Sequence, residues 1–470
     1  MIHSLSRSLS RLTSHSGFKK YFFNTGWLML DKVLRMFLGL FVGVWVARYL
    51  GPENFGILNF AMSFVGLFGA FGKLGLDGII VRNIVRDPDE RDEILGTSLV
   101  LRLCGAIVLM LAVFGALQLT SATTYEKIIV MIIAFGQLFM SFEVFDFYFQ
   151  SQVKAKFSGI TGTFGLLASS IARISFILIG LPLIWFAGAV IIEQLTKAIF
   201  FIYFYIKTAS PIDKSTNNKY TNNKYTKPPI TNTHSKLNIK NLKFSKATSL
   251  ALLKDSWPLI FSGLAVAFYM KIDQIMVKEL INNEAVGYYS VAVRLSEVWL
   301  FITMSITQSL FPATLNAKII SNDLYYERLT QFYKLLFIIS FSISIVIYFF
   351  SEYIVILLFS SEYFKSIAIL QIYVWSTIFV FLNNGSWHWY IAENLQHLAA
   401  IRLFVGAIAN FILNYFLIKA YGLTGAATAT VLSYAIASYF GNLIFKRTRI
   451  NFKIQTLAIL NVFNIRSYYK

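Results

Sequence analysis

The sequence predicts an all-α membrane protein of twelve transmembrane helices, arranged as two halves of six. Three observations predict it. Only 14% of the 470 residues are charged and 56% are hydrophobic, whereas soluble chains carry about 25% charged residues. The apolar residues gather in runs, among them Gly105–Leu119, Leu335–Phe350 and Phe404–Ile418. With their flanks these approach the roughly 20 residues needed to cross a hydrocarbon core about 30 Å thick. A polar, Lys-rich stretch then interrupts the pattern at residues 207–254 and leaves six runs on each side.

In order, the spans are expected at 26–48, 55–76, 96–119, 128–149, 159–180 and 184–206, then at 256–279, 286–310, 333–351, 367–390, 399–418 and 423–445. Lys and Arg set the orientation, because cytoplasmic loops are enriched in them. With the N-terminus inside, the inward segments carry 30 basic residues and the outward loops only five: Arg48, Lys127, Lys278, Lys365 and Lys419. Both termini are therefore expected in the cytoplasm. The domain plan is a cytoplasmic tail (1–25), a first lobe (26–206), a linker (207–254), a second lobe (255–445) and a second cytoplasmic tail (446–470).

Met1–Lys20 is rich in Ser and Arg and has no acid. A transit peptide shares that composition, but an amphipathic tail ahead of the first span fits better. The linker holds ten Lys and a tandem repeat, Thr216–Tyr220 and Thr221–Tyr225, followed by Pro228-Pro229. It reads as a disordered tether; the alternative is an arm that binds headgroups or a partner. The halves echo one another. Glu53-Asn54-Phe55-Gly56 leads to Ala61, and Glu284-Ala285-Val286-Gly287 leads to Ala292 at the same spacing. Weak internal repetition is common in transporters whose two lobes face a central cavity.

Other chemistries lack their residues. The single Cys104 excludes an internal disulfide, and the five His show no metal-ligand spacing. No Gly-x-x-x-x-Gly-Lys-Ser/Thr loop is present, so no P-loop nucleotide hydrolysis is expected. The net charge of +19 does not read as nucleic-acid binding, because most of it lies in loops and tails beside apolar spans.

Several short stretches carry a family resemblance. Ala47-Arg48-Tyr49-Leu50-Gly51-Pro52-Glu53-Asn54-Phe55-Gly56 comes first. It is followed in order by Gly72–Asp77, Asp146–Gln150 with Lys154 and Lys156, Ser360–Ser366 and Tyr421–Ala427. Together they resemble the Wzx-type polysaccharide flippases, which move O-antigen and exopolysaccharide repeat units. The resemblance spans nearly the whole chain; the long Asn/Lys-rich linker departs from it. It implies the multidrug/oligosaccharidyl-lipid/polysaccharide exporter fold, two six-helix lobes forming a V around a central cavity. It also implies an inner-membrane transporter, not an enzyme, which carries an oligosaccharide on a polyprenyl diphosphate to the outer leaflet. Glycosyltransferases and a polymerase of the same pathway would be its partners.

Ionisable residues inside spans are costly, so each is a candidate for function. Lys32, Arg35, Arg102, Arg173, Lys271 and Arg294 are candidates to hold the diphosphate and acidic sugars, since guanidinium binds phosphate oxygens bidentately. Arg102 lies near the end of its span, where snorkelling to headgroups is the alternative. Asp31, Glu143, Asp146, Glu193, Lys197, Asp273 and Glu297 are candidates for cavity or gating pairs. Glu193 and Lys197 in particular read as a structural i,i+4 pair. His388 reads as a hydrogen-bonded helix residue, with a proton-linked role as the alternative. Spans 9 to 12 otherwise hold little mid-membrane charge.

The expected function is lipid-linked oligosaccharide flipping by alternating access. Energy would come from a coupling ion (H⁺ or Na⁺), the membrane potential or mass action, with no cofactor and no metal. The alternatives are a cation-coupled multidrug exporter of the same fold, and a membrane polysaccharide polymerase or glycosyltransferase. Mid-span cations count against the first. Outward loops no longer than about 15 residues count against the second.

Overall fold

The computed structural model describes residues 16–208 and 241–463, with side chains from Met36 onward except Pro312. The tandem repeat of the linker, the first 15 residues and residues 464–470 lie outside the described residues.

Every regular element among the described residues is helical. The first half runs through α1 (Ser16–Leu67), α2 (Gly69–Lys73), α3 (Asp77–Arg86), α4 (Arg91–Leu117), α5 (Thr124–Met140), α6 (Val144–Ser151), α7 (Ala155–Ile179) and α8 (Leu183–Thr208). The second half runs through α9 (Lys246–Leu280), α10 (Asn283–Glu297), α11 (Leu300–Ile320), α12 (Asn322–Phe359), α13 (Ser366–Tyr373), α14 (Ser376–Ala392), α15 (Gln396–Ser438) and α16 (Arg449–Phe463).

The two longest of these helices, of 52 and 43 residues, each break at a glycine. At Gly51 (φ 70°) and Gly422 (φ 60°) the backbone takes left-handed φ values that only glycine adopts without strain. The chain reverses at both points. A Cβ on Gly425 would stand 1.9 Å from the Leu417 carbonyl oxygen, although eight residues of straight helix would separate them by about 12 Å. Likewise Gly39 and Ser63, on opposite arms of α1, line the same cavity. Counting each arm as a span gives twelve spans, the number the sequence predicts.

Three apolar cores explain the overall form. One holds residues of both halves at the Gly51 end, including Phe55, Phe60, Val277, Tyr289 and Tyr363. A second lies in the first half at the opposite end, around Ile80, Leu95, Phe145 and Tyr205. The third lies in the second half, around Tyr333, Leu336, Phe381 and Trp389. Lobes that share a core at one end and keep separate cores at the other make a V.

Three boundaries differ from the sequence reading. Helix α1 starts at Ser16, inside the expected tail. Helix α9 starts at Lys246, inside the expected linker. Its cap is Ser245, whose side chain accepts from the Thr248 amide at 3.3 Å. The preceding stretch of chain docks on the first lobe: the Lys243 amide donates to the Asp92 carbonyl at 3.3 Å, and Leu252 joins that lobe's core. The polar composition concealed a capped, half-buried helix start.

The third difference is the C-terminal segment, expected as a tail. Residues 449–463 form α16, which buries Asn451, Ile454, Gln455 and Ala458. Tyr333 donates to Asn451 Oδ1 at 2.7 Å, and Gln455 Nε2 donates to Ser386 Oγ at 2.7 Å. Arg402, which is 1% exposed, donates to Asn383 Oδ1 at 2.6 Å and to Asn442 Oδ1 at 3.2 Å. Asn442 in turn donates to Gln455. This buried network fastens α16 to the lobe. Ending the chain at Phe445 would leave Tyr333, Ser386 and Asn442 short of partners, at about 1–3 kcal/mol for each unsatisfied group. The truncated protein is expected to melt at least about 5 °C lower in a detergent thermal-shift assay; an unchanged transition would make α16 an appendage.

Candidate functional site: a cationic cavity between the lobes

A cavity of about 400 Å³ lies between the lobes. The two arms of α1 supply Met36, Gly39, Leu40, Asn59, Met62 and Ser63. Helices α9 and α10 supply Lys271, Gln274, Ser290, Arg294 and Glu297.

Arg294 dominates the site. Its guanidinium lies against Gly43, where an added Cβ would stand 1.9 Å from Nη1. It also packs 5.7 Å from the Phe55 ring centroid. Nη1 is buried and makes no hydrogen bond among the described residues. Arg173 of α7 is close enough to repel it electrostatically, and Glu297, one turn along α10, to attract it. Lys271 interacts with Glu297 in the same way. Neutral polar groups complete the wall. Ser63 donates to Gln274 Oε1 at 2.6 Å across the two lobes, and Asn59 donates to the Phe55 carbonyl at 2.7 Å. Ser290 Oγ is buried without a partner among the described residues.

The structure sorts the charges expected at the site. Lys271, Arg294 and Glu297 line the cavity, and Arg173 stands nearby. Arg102 does not: it is buried within the first lobe, 3.3 Å from Asp77 and 3.6 Å from Glu143, with Phe147 at 5.3 Å. Glu143 is therefore its ion-pair partner, and Asp146 accepts from Gln150 at 2.8 Å. Glu193 and Lys197 form the local pair at 2.7 Å, which Ser169 joins at 3.2 Å. Asp273 turns into the second lobe, where Tyr289 donates to it at 2.7 Å. The side chains of Asp31, Lys32 and Arg35 lie outside the described residues, on α1. His388 faces the Asn384 carbonyl at 3.1 Å. The sequence reading missed Asn59, Ser63, Gln274 and Ser290, which carry no charge to mark them. It also missed Arg402, assigned to a loop.

The cavity is shut at the Gly51 end. The two repeated motifs meet there: a Cβ on Gly56 would stand 1.8 Å from the Asn283 carbonyl oxygen, and one on Gly287 2.0 Å from that of Pro52. A buried polar latch flanks them. Lys278 Nζ lies 3.6 Å from Glu126 Oε2 and 3.1 Å from Glu279 Oε1, and it donates to Ser121 Oγ at 2.9 Å. Asn283 Nδ2 donates to the other Glu126 oxygen at 2.6 Å. Glu126 meanwhile closes the capping box that starts α5. Tyr363 donates to the Ala47 carbonyl at 2.8 Å.

The chain matches the family model described as "Polysaccharide biosynthesis protein" over residues 22–318, and the MatE family model over residues 258–416. It is similar to the solved structure of a multidrug resistance MATE family transporter of the MOP superfamily in an inward-facing conformation. The two are 16% identical, with 90% of this chain and 95% of that one covered and a TM-score of 0.69. The lipid II flippase MurJ, in an inward closed conformation, is 17% identical over 94% and 92% of the two chains, with a TM-score of 0.66. An outward-facing MATE transporter of the MOP superfamily gives 0.59 at 16% identity over 92% and 94%. No curated protein matches the chain.

Proposed function

The chain belongs to the polysaccharide biosynthesis protein family and has the fold of the MOP-superfamily flippases, and from this premise we propose that it flips a polyprenyl-diphosphate-linked oligosaccharide across the cytoplasmic membrane. The observation that carries the reading is Arg294 in a cavity between the lobes, its Nη1 buried without a hydrogen-bond partner among the described residues. A buried guanidinium nitrogen without an acceptor is unfavourable. A diphosphate would supply the missing acceptors, and Arg holds phosphate oxygens bidentately. Neutral Asn59, Ser63, Gln274 and Ser290 suit sugar hydroxyls, which both donate and accept. Lys271 and Arg173 add positive charge along the path. Alternating access would expose this site to each leaflet in turn, with the Gly51 end closed in the state described. A coupling ion, H⁺ or Na⁺, and a hand-over to the polymerase of the same pathway complete the scheme.

The second reading is a multidrug exporter, which the MatE match supports. Reconstituted vesicles separate the two. A fluorescent polyprenyl-diphosphate oligosaccharide should equilibrate between leaflets, while cationic dyes should not be expelled. Dye export without lipid flipping would establish the second reading.

The proposed orientation places both termini inside and the Gly51 end outside. In a Cys104→Ser background, a cysteine replacing the exposed Asn54 should react with an impermeant thiol reagent on intact cells. Cysteines replacing Asn223 and Ser467, outside the described residues, should be protected until the cells are opened. Labelling of intact cells at either of those two would reverse the topology.

A further inference from the structure

We propose that the C-terminal corner of the second lobe is a binding site for an anionic phospholipid, independent of the transport cavity. After Glu393 the sequence holds no Asp or Glu to its end. Within that stretch Lys446, Arg447, Arg449 and Lys453 are all exposed. None of the four forms an ion pair among the described residues.

These cations are not on a loose tail. Thr448 Oγ1 donates to the Asn442 carbonyl at 2.7 Å, and Arg449 Nε to the Leu443 carbonyl at 3.2 Å. Asn451 and Gln455 plug the turn into the buried network around Ser386 and Asn442. The backbone that carries these charges is thus fixed before any ligand arrives, so little backbone freedom is lost on binding.

Their level in the membrane defines the ligand. Asn451 meets Tyr333 of α12, and Phe463 meets Phe337 and Phe341, with ring centroids 6.1 Å apart in both cases. Helix α16 therefore runs beside α12 in the same direction, from the polar start of that span into its apolar part. The four cations stand at headgroup depth. Leu457, Leu460 and Phe463 are exposed beside the acyl chains. A phospholipid standing on this face places its phosphate among the cations and its chains along those three side chains. The two demands together, fixed positive charge above and an apolar strip below, fit an anionic lipid and not a soluble anion.

The test uses the purified full-length protein in detergent and native mass spectrometry, with phosphatidylglycerol and phosphatidylcholine supplied in equal amounts. One exposed cation near an acidic surface is worth about fivefold in binding. The wild type should carry phosphatidylglycerol in preference to phosphatidylcholine by at least about tenfold. The variant Lys446→Gln/Arg447→Gln/Arg449→Gln/Lys453→Gln should lose that preference. Lys446→Gln/Arg447→Gln alone, ahead of α16, should lose part of it and guards against misfolding of the fourfold variant. Leu457→Ser/Leu460→Ser should weaken retention of both lipids. A preference that survives the fourfold change would overturn the proposal, as would displacement of phosphatidylglycerol by millimolar inorganic phosphate, which would make the site one for free anions.

Discussion

Arg294→Gln is expected to abolish complementation of a flippase-deficient strain while the protein stays in the membrane at its normal level. Its melting temperature should be equal to or higher than that of the wild type. The two halves of the outcome come from the same feature. Arg294 sits in the cavity wall with Nη1 buried and without a hydrogen bond among the described residues, so its removal relieves a desolvation cost, and Glu297, which attracts it, keeps Lys271. Its loss to transport is that of a charge-assisted bidentate contact with phosphate, about 1.5–3 kcal/mol, or roughly ten- to a hundredfold. Arg294→Lys should retain partial function, because the charge survives and the planar fork does not. A structural arginine would give the opposite pattern, with lower stability on replacement by Gln. Arg102, held by Asp77 and Glu143, serves as that contrast: Arg102→Gln should destabilise the protein. Normal transport by Arg294→Gln, measured as leaflet exchange of the lipid-linked sugar, would remove the cationic cavity from the mechanism and leave the fold untouched.

Opening the Gly51 end is the second large expected effect. Gly287→Ala would place a methyl group 2.0 Å from the Pro52 carbonyl oxygen, far inside contact distance, so the two lobes must part there. Lys278→Met would strip a buried cation from Glu126, on the first lobe, and from the Ser121 hydroxyl. Breaking one side of a buried pair costs about 3–5 kcal/mol, enough to shift a sealed-to-open ratio by roughly two to more than three orders of magnitude. The reporter is a cysteine at Ser290, in the cavity, with Cys104, which is exposed, changed to Ser. An impermeant reagent applied from outside should label it slowly in the otherwise native protein. Labelling should become fast in the Gly287→Ala and Lys278→Met backgrounds. Equal labelling rates in all three would mean that these contacts do not seal the cavity.

The echo between Glu53–Gly56 and Glu284–Gly287 was visible as a repeated spacing, and the structure gives it a cause. Both glycines stand where the lobes touch backbone to backbone, and a Cβ at either would collide with the other lobe. Lys278, by contrast, counted as an outward-loop charge; it is 5% exposed and belongs to the latch. Nothing in its local sequence separates these two environments. The same holds for Arg402, read as a loop residue at the start of its span and found at the centre of a buried network.

The membrane class, the number of spans, the division into halves and most of the charges inside the bilayer, Lys278 and Arg402 excepted, were legible in the linear sequence. They follow from one-dimensional constraints: a crossing needs about 20 apolar residues, and each charge within it is costly enough to be conspicuous. Which charges act together was decided only by the packing of the helices. Arg294, Lys271 and Glu297 share a cavity, while Arg102, Lys197 and Asp273, no less buried in their spans, are spoken for by Glu143, Glu193 and Tyr289. A charge's partner depends on the rotation of its helix and on which distant helix packs beside it. The linear pattern of apolar and polar residues specifies neither.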